Sequence, residues 1–217
     1  MTALPLNYEF PYKDDRLKET HFYLMKPFLS LLGDPVSQEG KALRILDLGC
    51  GNGSFSHWLA ERGYHVVGVE ESSQGVEIAR RSFPDCSFFQ GSIYDLPYEE
   101  LGNSFDRVIS VEVIEHLFYP KELVKAAKRC LKPNGKLILT TPYHGYLKNL
   151  ALSLSGRMDA HFHVDRDGGH IKFFSVKTLG ELLRSHGYTD LEFAFAGRVP
   201  YLWKSMLCGC RPVGDRG

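Results

Sequence analysis

Apolar and polar positions along the chain alternate between two periods. Short apolar runs at 42–48 (ALRILDL), 65–70 (HVVGVE), 87–90 (SFFQ), 105–111 (FDRVISV) and 136–141 (KLILTT) predict buried strands. Between them, 54–63, 72–82 and 120–131 space their apolar residues as helices do. The helix over 120–131 starts at Pro120 and sets Leu123, Val124, Ala127, Cys130 and Leu131 on one face. The helix over 72–82 has a serine cap and ends in arginines that suit its dipole. An earlier helix is predicted at 20–32, with Pro27 as a point of division, followed by a breaker-rich linker at 33–41. After Gly145 the pattern loosens until a helix at 175–187. Strands at 190–196 and 201–208, separated by Gly197 and Pro200, predict a hairpin closing one sheet edge. Alternating strands and helices imply an α/β fold, a mostly parallel sheet with helices on both faces. The expected organisation is an N-terminal helical cap segment at 1–40, one domain at 41–210 and a disordered tail at 211–217.

Composition narrows the classes. A chain of 217 residues suits one core, and its 26 basic and 26 acidic residues leave no bulk field for a polyanion. That argues against a duplex-coating nucleic-acid binder. The five cysteines are scattered and form no CxxC pair, so neither a disulfide framework nor a zinc ribbon is expected. The first 15 residues lack a basic stretch followed by an apolar one, and a cytoplasmic location is expected. No apolar run approaches the ~20 residues that span a bilayer.

The first strand runs into LDLGCGNGSF (46–55). Its glycines at 49, 51 and 53 permit a sharp turn and close approach to a ligand at the carboxyl end of a strand. The spacing is GxGxG, not the GxGxxG of dinucleotide folds, and Asp47 would repel a pyrophosphate. A cationic ligand suits the loop better than the NAD of an oxidoreductase. Glu70 ends the second strand, where a carboxylate can grip two ribose hydroxyls.

RILDLGCGNGSFS followed by HVVGVEES resembles motif I and the following acid of class I S-adenosylmethionine (SAM)-dependent methyltransferases. The resemblance covers roughly residues 42–187. It implies a Rossmann-like, seven-stranded sheet, mostly parallel with an antiparallel last strand, and SAM as cofactor. It further implies that Asp47, Gly49, Cys50 and Gly51 hold the methionine end and that Glu70 holds the ribose. Ser92 and Ile93 would flank adenine, and Val111 would lie against the donor.

FDRVISVEVIEHL resembles the fourth strand of the ubiquinone-biosynthesis O-methyltransferases, and TTPYHGYLKNL and GGHIKFFSVKTLGELLRSHGY resemble their later segments. The activity implied is O-methylation of a hydroxyl on a small molecule: a quinone precursor, a phenol or a glycan-related acceptor. The long basic segment expected for membrane docking in the quinone enzymes is not clearly present. Three readings of SVEVIEH stay open. Glu115 and His116 can be the polar start of a helix. His116, beside Glu115, can be a general base. Or Glu112, Glu115 and His116 bind a divalent cation with His170 as fourth ligand, a set resembling that of small-RNA 2′-O-methyltransferases. An RNA methyltransferase is thus an alternative, disfavoured by neutral charge, as is a non-catalytic SAM-binding module. His144, His161 and His163 lie in the stretch expected to roof the acceptor pocket. Tyr143, Tyr146, Leu147, Leu150, Leu152, Leu154 and Met158 in that stretch suit a lid, core packing or peripheral membrane contact through 143–163.

Overall fold

The computed structural model describes residues 11–102, 104–162 and 167–214. Residues 1–10, His163 and the last three tail residues lie outside this range. Seven strands form one sheet: β1 (Arg44–Leu48), β2 (His65–Glu70), β3 (Ser87–Gln90), β4 (Phe105–Val111), β5 (Leu131–Pro142), β6 (Tyr188–Ala196) and β7 (Ser205–Pro212). Their order is β3-β2-β1-β4-β5-β7-β6, with β7 antiparallel to both neighbours and the remaining pairs parallel. The order reverses between β1 and β4, so the crevice at their carboxyl ends is where such sheets bind ligands.

Side-chain alternation divides the core. Leu46, Leu48, Val67, Val69, Val108, Leu137 and Leu139 face one helical layer. Ile45, Val66, Ile109, Ile138 and Leu207 face the other. The second face is covered by α1 (Glu19–Leu32), through Leu24, Phe28, Leu31 and Leu32, and by α2 (Ser54–Ala60). Burial of that stripe carries α1 unbroken past Pro27. The first face receives α5 (Pro120–Cys130) and α8 (Val176–Ser185), while α3 (Ser73–Ser82) lies over β2 and β3.

Three expectations need correction. The last strand begins at Ser205, four residues later than predicted, and residues 197–204 make the turn. Gly209 does not end the strand, because it sits where any Cβ would meet Lys136 Cε at 2.5 Å; the glycine admits that lysine. Arg211 and Pro212, assigned to the tail, pair with Thr189 and Tyr188 in β6. The stretch after Gly145 also contains two helices, α6 (Tyr146–Leu154) and α7 (Met158–Phe162), and a short α4 (Tyr98–Leu101) follows β3. In α6 the buried residue is Lys148, whereas Tyr146, Leu147, Leu150 and Leu154 are exposed, so helical periodicity could not reveal it. Among the described residues no helix is long and apolar enough to cross a membrane.

Candidate active site

The loop after β1 turns through positive φ at Gly49 (79°) and Gly51 (60°). A Cβ on Gly49 would meet Val113 at 2.7 Å, and one on Gly51 would meet the Tyr12 hydroxyl at 2.9 Å. Gly49 N and Cys50 N donate to Val69 O, which ties the loop to β2. Glu70 is buried, and its two oxygens accept from Gly51 N and Ser72 N, both at 2.9 Å. Each oxygen keeps a lone pair for a further donor. Gly91 N bonds Glu70 O at 3.0 Å, bringing Ser92 and Ile93 to the same strand ends.

Asp47 is buried under this loop. Its Oδ2 accepts from Ser56 Oγ at 2.6 Å, whereas Oδ1 has no partner among the described residues. Burial, helped by the Glu70 charge, raises its pKa to about 7. Burial also keeps the Cys50 thiol protonated. Two neighbours gave no periodic signal in the sequence. Asn52 Nδ2 holds the carbonyls of Asp14 (2.8 Å) and Arg16 (3.0 Å), strapping the N-terminal segment over the loop and placing Tyr12 beside Gly51.

At the end of β4 the chain enters a 3-10 turn at Ile114–His116. Glu115 is wholly buried, and neither carboxylate oxygen has a hydrogen-bond partner among the described residues. His116 Nε2 and His170 Nε2 each lie 4.0 Å from Glu115 Oε1. His170 arrives because Ile171 N and Lys172 N both bond Glu115 O at 2.9 Å. His116 Nδ1 faces Gly168 O at 2.8 Å; a proton there leaves the Nε2 lone pair directed at the cluster. Burial pushes the Glu115 pKa well up, and the Glu112 charge pushes it further.

Glu112 does not join the other three proposed ligands in one cluster. Its backbone adopts φ 54°, and its carboxylate turns toward β5 and β7. There it accepts from Thr140 Oγ1 (2.9 Å) and Ser205 Oγ (3.3 Å), and Ser205 in turn contacts the Tyr23 hydroxyl at 3.3 Å. Burial raises its pKa to about 7. Val111, one residue earlier, packs on the α1 side of the sheet.

A methyltransferase-domain family model matches residues 17–192. The chain belongs to the class I SAM-dependent methyltransferases. It is 30% identical to the ubiquinone biosynthesis O-methyltransferase of Roseobacter denitrificans over 178 residues, covering 78% of this chain and 69% of that protein. A protein of the same name from Xanthomonas oryzae pv. oryzae is 37% identical over 102 residues, 45% of this chain. The match spans only 42% of that relative's length. A solved structure from Pyrococcus horikoshii OT3 gives a TM-score of 0.67 at 22% identity, covering 93% of this chain and 94% of the other. Magnesium protoporphyrin IX methyltransferase from Synechocystis, with bound S-adenosylhomocysteine (SAH), gives 0.62 at 17%, covering 85% and 78%. At those identities the likeness carries the fold.

The residues of this methyltransferase fit SAM. The unpartnered Asp47 oxygen suits a cationic ligand, Glu70 retains acceptors for ribose, and the glycine turn leaves no Cβ in the cradle. The roof is less like a simple apolar lid. Tyr143 is buried against Phe195 and Trp203 and belongs to the core. His144 is buried beside His161, Phe162 and Phe173, and burial lowers its pKa to about 4. An imidazole so poised stays neutral near pH 7.

Proposed function

We propose that this methyltransferase transfers the SAM methyl group to a hydroxyl of a small-molecule acceptor. Asp47, Gly49, Cys50 and Gly51 would hold the methionine end, Glu70 the ribose, Ser92 and Ile93 would flank the adenine, and Val111 would lie against the donor. The sulfonium makes the methyl carbon electrophilic, so the protein's task is to align acceptor and donor and to assist loss of the hydroxyl proton. The O-methyltransferase names of the relatives support a hydroxyl acceptor.

The observation that carries the reading is Glu115, a wholly buried carboxylate with two unpartnered oxygens facing two imidazoles. A helix-start role is disfavoured, since Glu115 lies in the 3-10 turn and α5 begins only at Pro120. A lone histidine base needs no such carboxylate pointed between two rings. Glu115, His116 and His170 would hold a divalent cation, which lowers the pKa of a hydroxyl bound to it. The His116–Gly168 bond fixes the ring orientation that this requires. The exposed Tyr146, Leu147, Leu150 and Leu154 of α6 suit an apolar acceptor, including one presented at a membrane surface.

The test is methyl transfer from labelled SAM to catechols, prenylated phenols, glycosides and short RNAs. Transfer to a small hydroxyl acceptor is expected, lost with chelator and restored by added divalent metal. His170→Ala should mimic the chelator, with activity lost or restored only at much higher metal concentration. Full turnover by metal-stripped enzyme would remove the cation, and transfer to RNA ends alone would replace the acceptor class.

A further inference from the structure

Among the described residues, seven buried side-chain atoms have no hydrogen-bond partner, and five of them gather around the carboxyl end of β5. They are both Glu115 oxygens, Thr141 Oγ1, His144 Nδ1 and Asn149 Oδ1. Thr141 lies beside Glu115 and Asn149 beside His144, so these groups form a buried polar patch that also feels the charge of Lys148. Only the Glu115 pair is used by the cation site.

Lys148 stands in this neighbourhood, 4% exposed, and turns back from α6 so that Nζ donates to Tyr143 O at 2.6 Å. An ammonium has three donors, and this bond uses one. A carbonyl alone needs no charge on its donor. Yet among the described residues Lys148 has no ion-pair partner within 4.0 Å: the nearby Glu112 carboxylate is held instead by Thr140 and Ser205. Burial, with Arg198 adding to it, lowers the amine pKa to about 8, so it remains a cation at neutral pH. A buried cation with unused donors, beside a polar patch at the carboxyl end of β5, calls for an anion.

We propose that Lys148 is the counter-charge for an anionic oxygen group, carboxylate or phosphate, carried by the methyl acceptor, and that it thereby selects among acceptors bearing the same hydroxyl. The inference rests on the O-methylation reading and adds the charge of the acceptor to it. The Glu112 charge favours the ammonium form of Lys148 and the Arg198 charge opposes it.

Matched acceptors test this on the SAH-loaded protein by calorimetry, with labelled-SAM turnover measured in parallel. Suitable pairs are 3,4-dihydroxybenzoate against catechol and glucose 6-phosphate against glucose; the two pairs separate carboxylate from phosphate. One charged member should bind at least ~10-fold more tightly than its neutral partner. Lys148→Met should reduce that ratio to near one, chiefly through KM. Lys148→Gln keeps a donor for Tyr143 O, guards against misfolding, and should reduce the ratio as well. A ratio near one in wild type, or one that survives Lys148→Gln, overturns the proposal. Lys148-dependent binding without transfer to any hydroxyl would sink O-methylation and leave the anion subsite standing.

Discussion

Asp47 shows how one buried carboxylate can record its ligand before the ligand arrives. It is held near a pKa of about 7 because burial outweighs the Ser56 hydrogen bond. Below that pH the empty site carries a proton that a cationic ligand must displace. SAM affinity is therefore expected to rise by up to about tenfold per pH unit toward pH 7 and to level off above it. The sign follows from the raised pKa, since only the unprotonated acid attracts the cation. Calorimetry at pH 6 in two buffers of different ionisation heat should detect proton release on binding, and at pH 8 should detect little. A flat affinity with no proton release would remove Asp47 from the cation's surroundings. At Glu70, replacement by Ala should weaken SAM by about 1.5–3 kcal/mol, since charge-assisted bonds to ribose are lost. Unchanged binding in that variant would cancel the ribose assignment.

Among the elements, the glycine loop and the N-terminal segment act together through Asn52. Asn52→Ala removes two side-chain bonds to the backbone of residues 14 and 16 and should release the segment from the loop. Faster proteolysis within 11–18 and weaker SAM binding, by about 1–2 kcal/mol, are expected. If proteolysis and affinity both stay at wild-type values, the segment is no strap. The strands were legible because the sheet buries them with a simple period, and the loop because three glycines and an acid are chemically specific. The strap was not legible, because a tyrosine and carbonyl oxygens leave no periodic trace. Helix α6 was hidden because its pattern is inverted, with lysine in and leucines out. The last strand runs on past 208 because Gly209 pairs with Ile138 and admits Lys136 where a Cβ would clash, a close approach that no periodicity records. Glu112 looked equivalent to Glu115 along the chain. Its positive φ, which no spacing rule encodes, directs it to a different set of partners.

At the scale of the whole molecule, the site is built at the expense of the resting fold. Glu115 is enclosed without a hydrogen bond, and its raised pKa means that the folded state binds a proton more tightly than the unfolded chain does. Such a group lowers stability as pH rises above the ordinary carboxylate range, because the unfolded chain can ionise freely and the fold cannot. In metal-free buffer, Glu115→Gln should accordingly be at least as stable as wild type, with the difference in Tm growing from pH 5 to pH 8. A cation that binds only the folded state should reverse that order in wild type. At a concentration of 100 times its Kd it adds about 2.7 kcal/mol. For a domain of this size that is a rise in Tm of roughly 5–10 °C. Glu115→Gln should lose most of that rise together with the transfer activity, a trade of function against stability in one side chain. Thermal melts with and without chelator, across pH, decide the matter independently of any acceptor. If added Mg²⁺, Mn²⁺, Fe²⁺ and Zn²⁺ leave the wild-type Tm unmoved, the buried carboxylate serves no cation. Equal metal shifts in wild type and Glu115→Gln would place the ion elsewhere in the molecule.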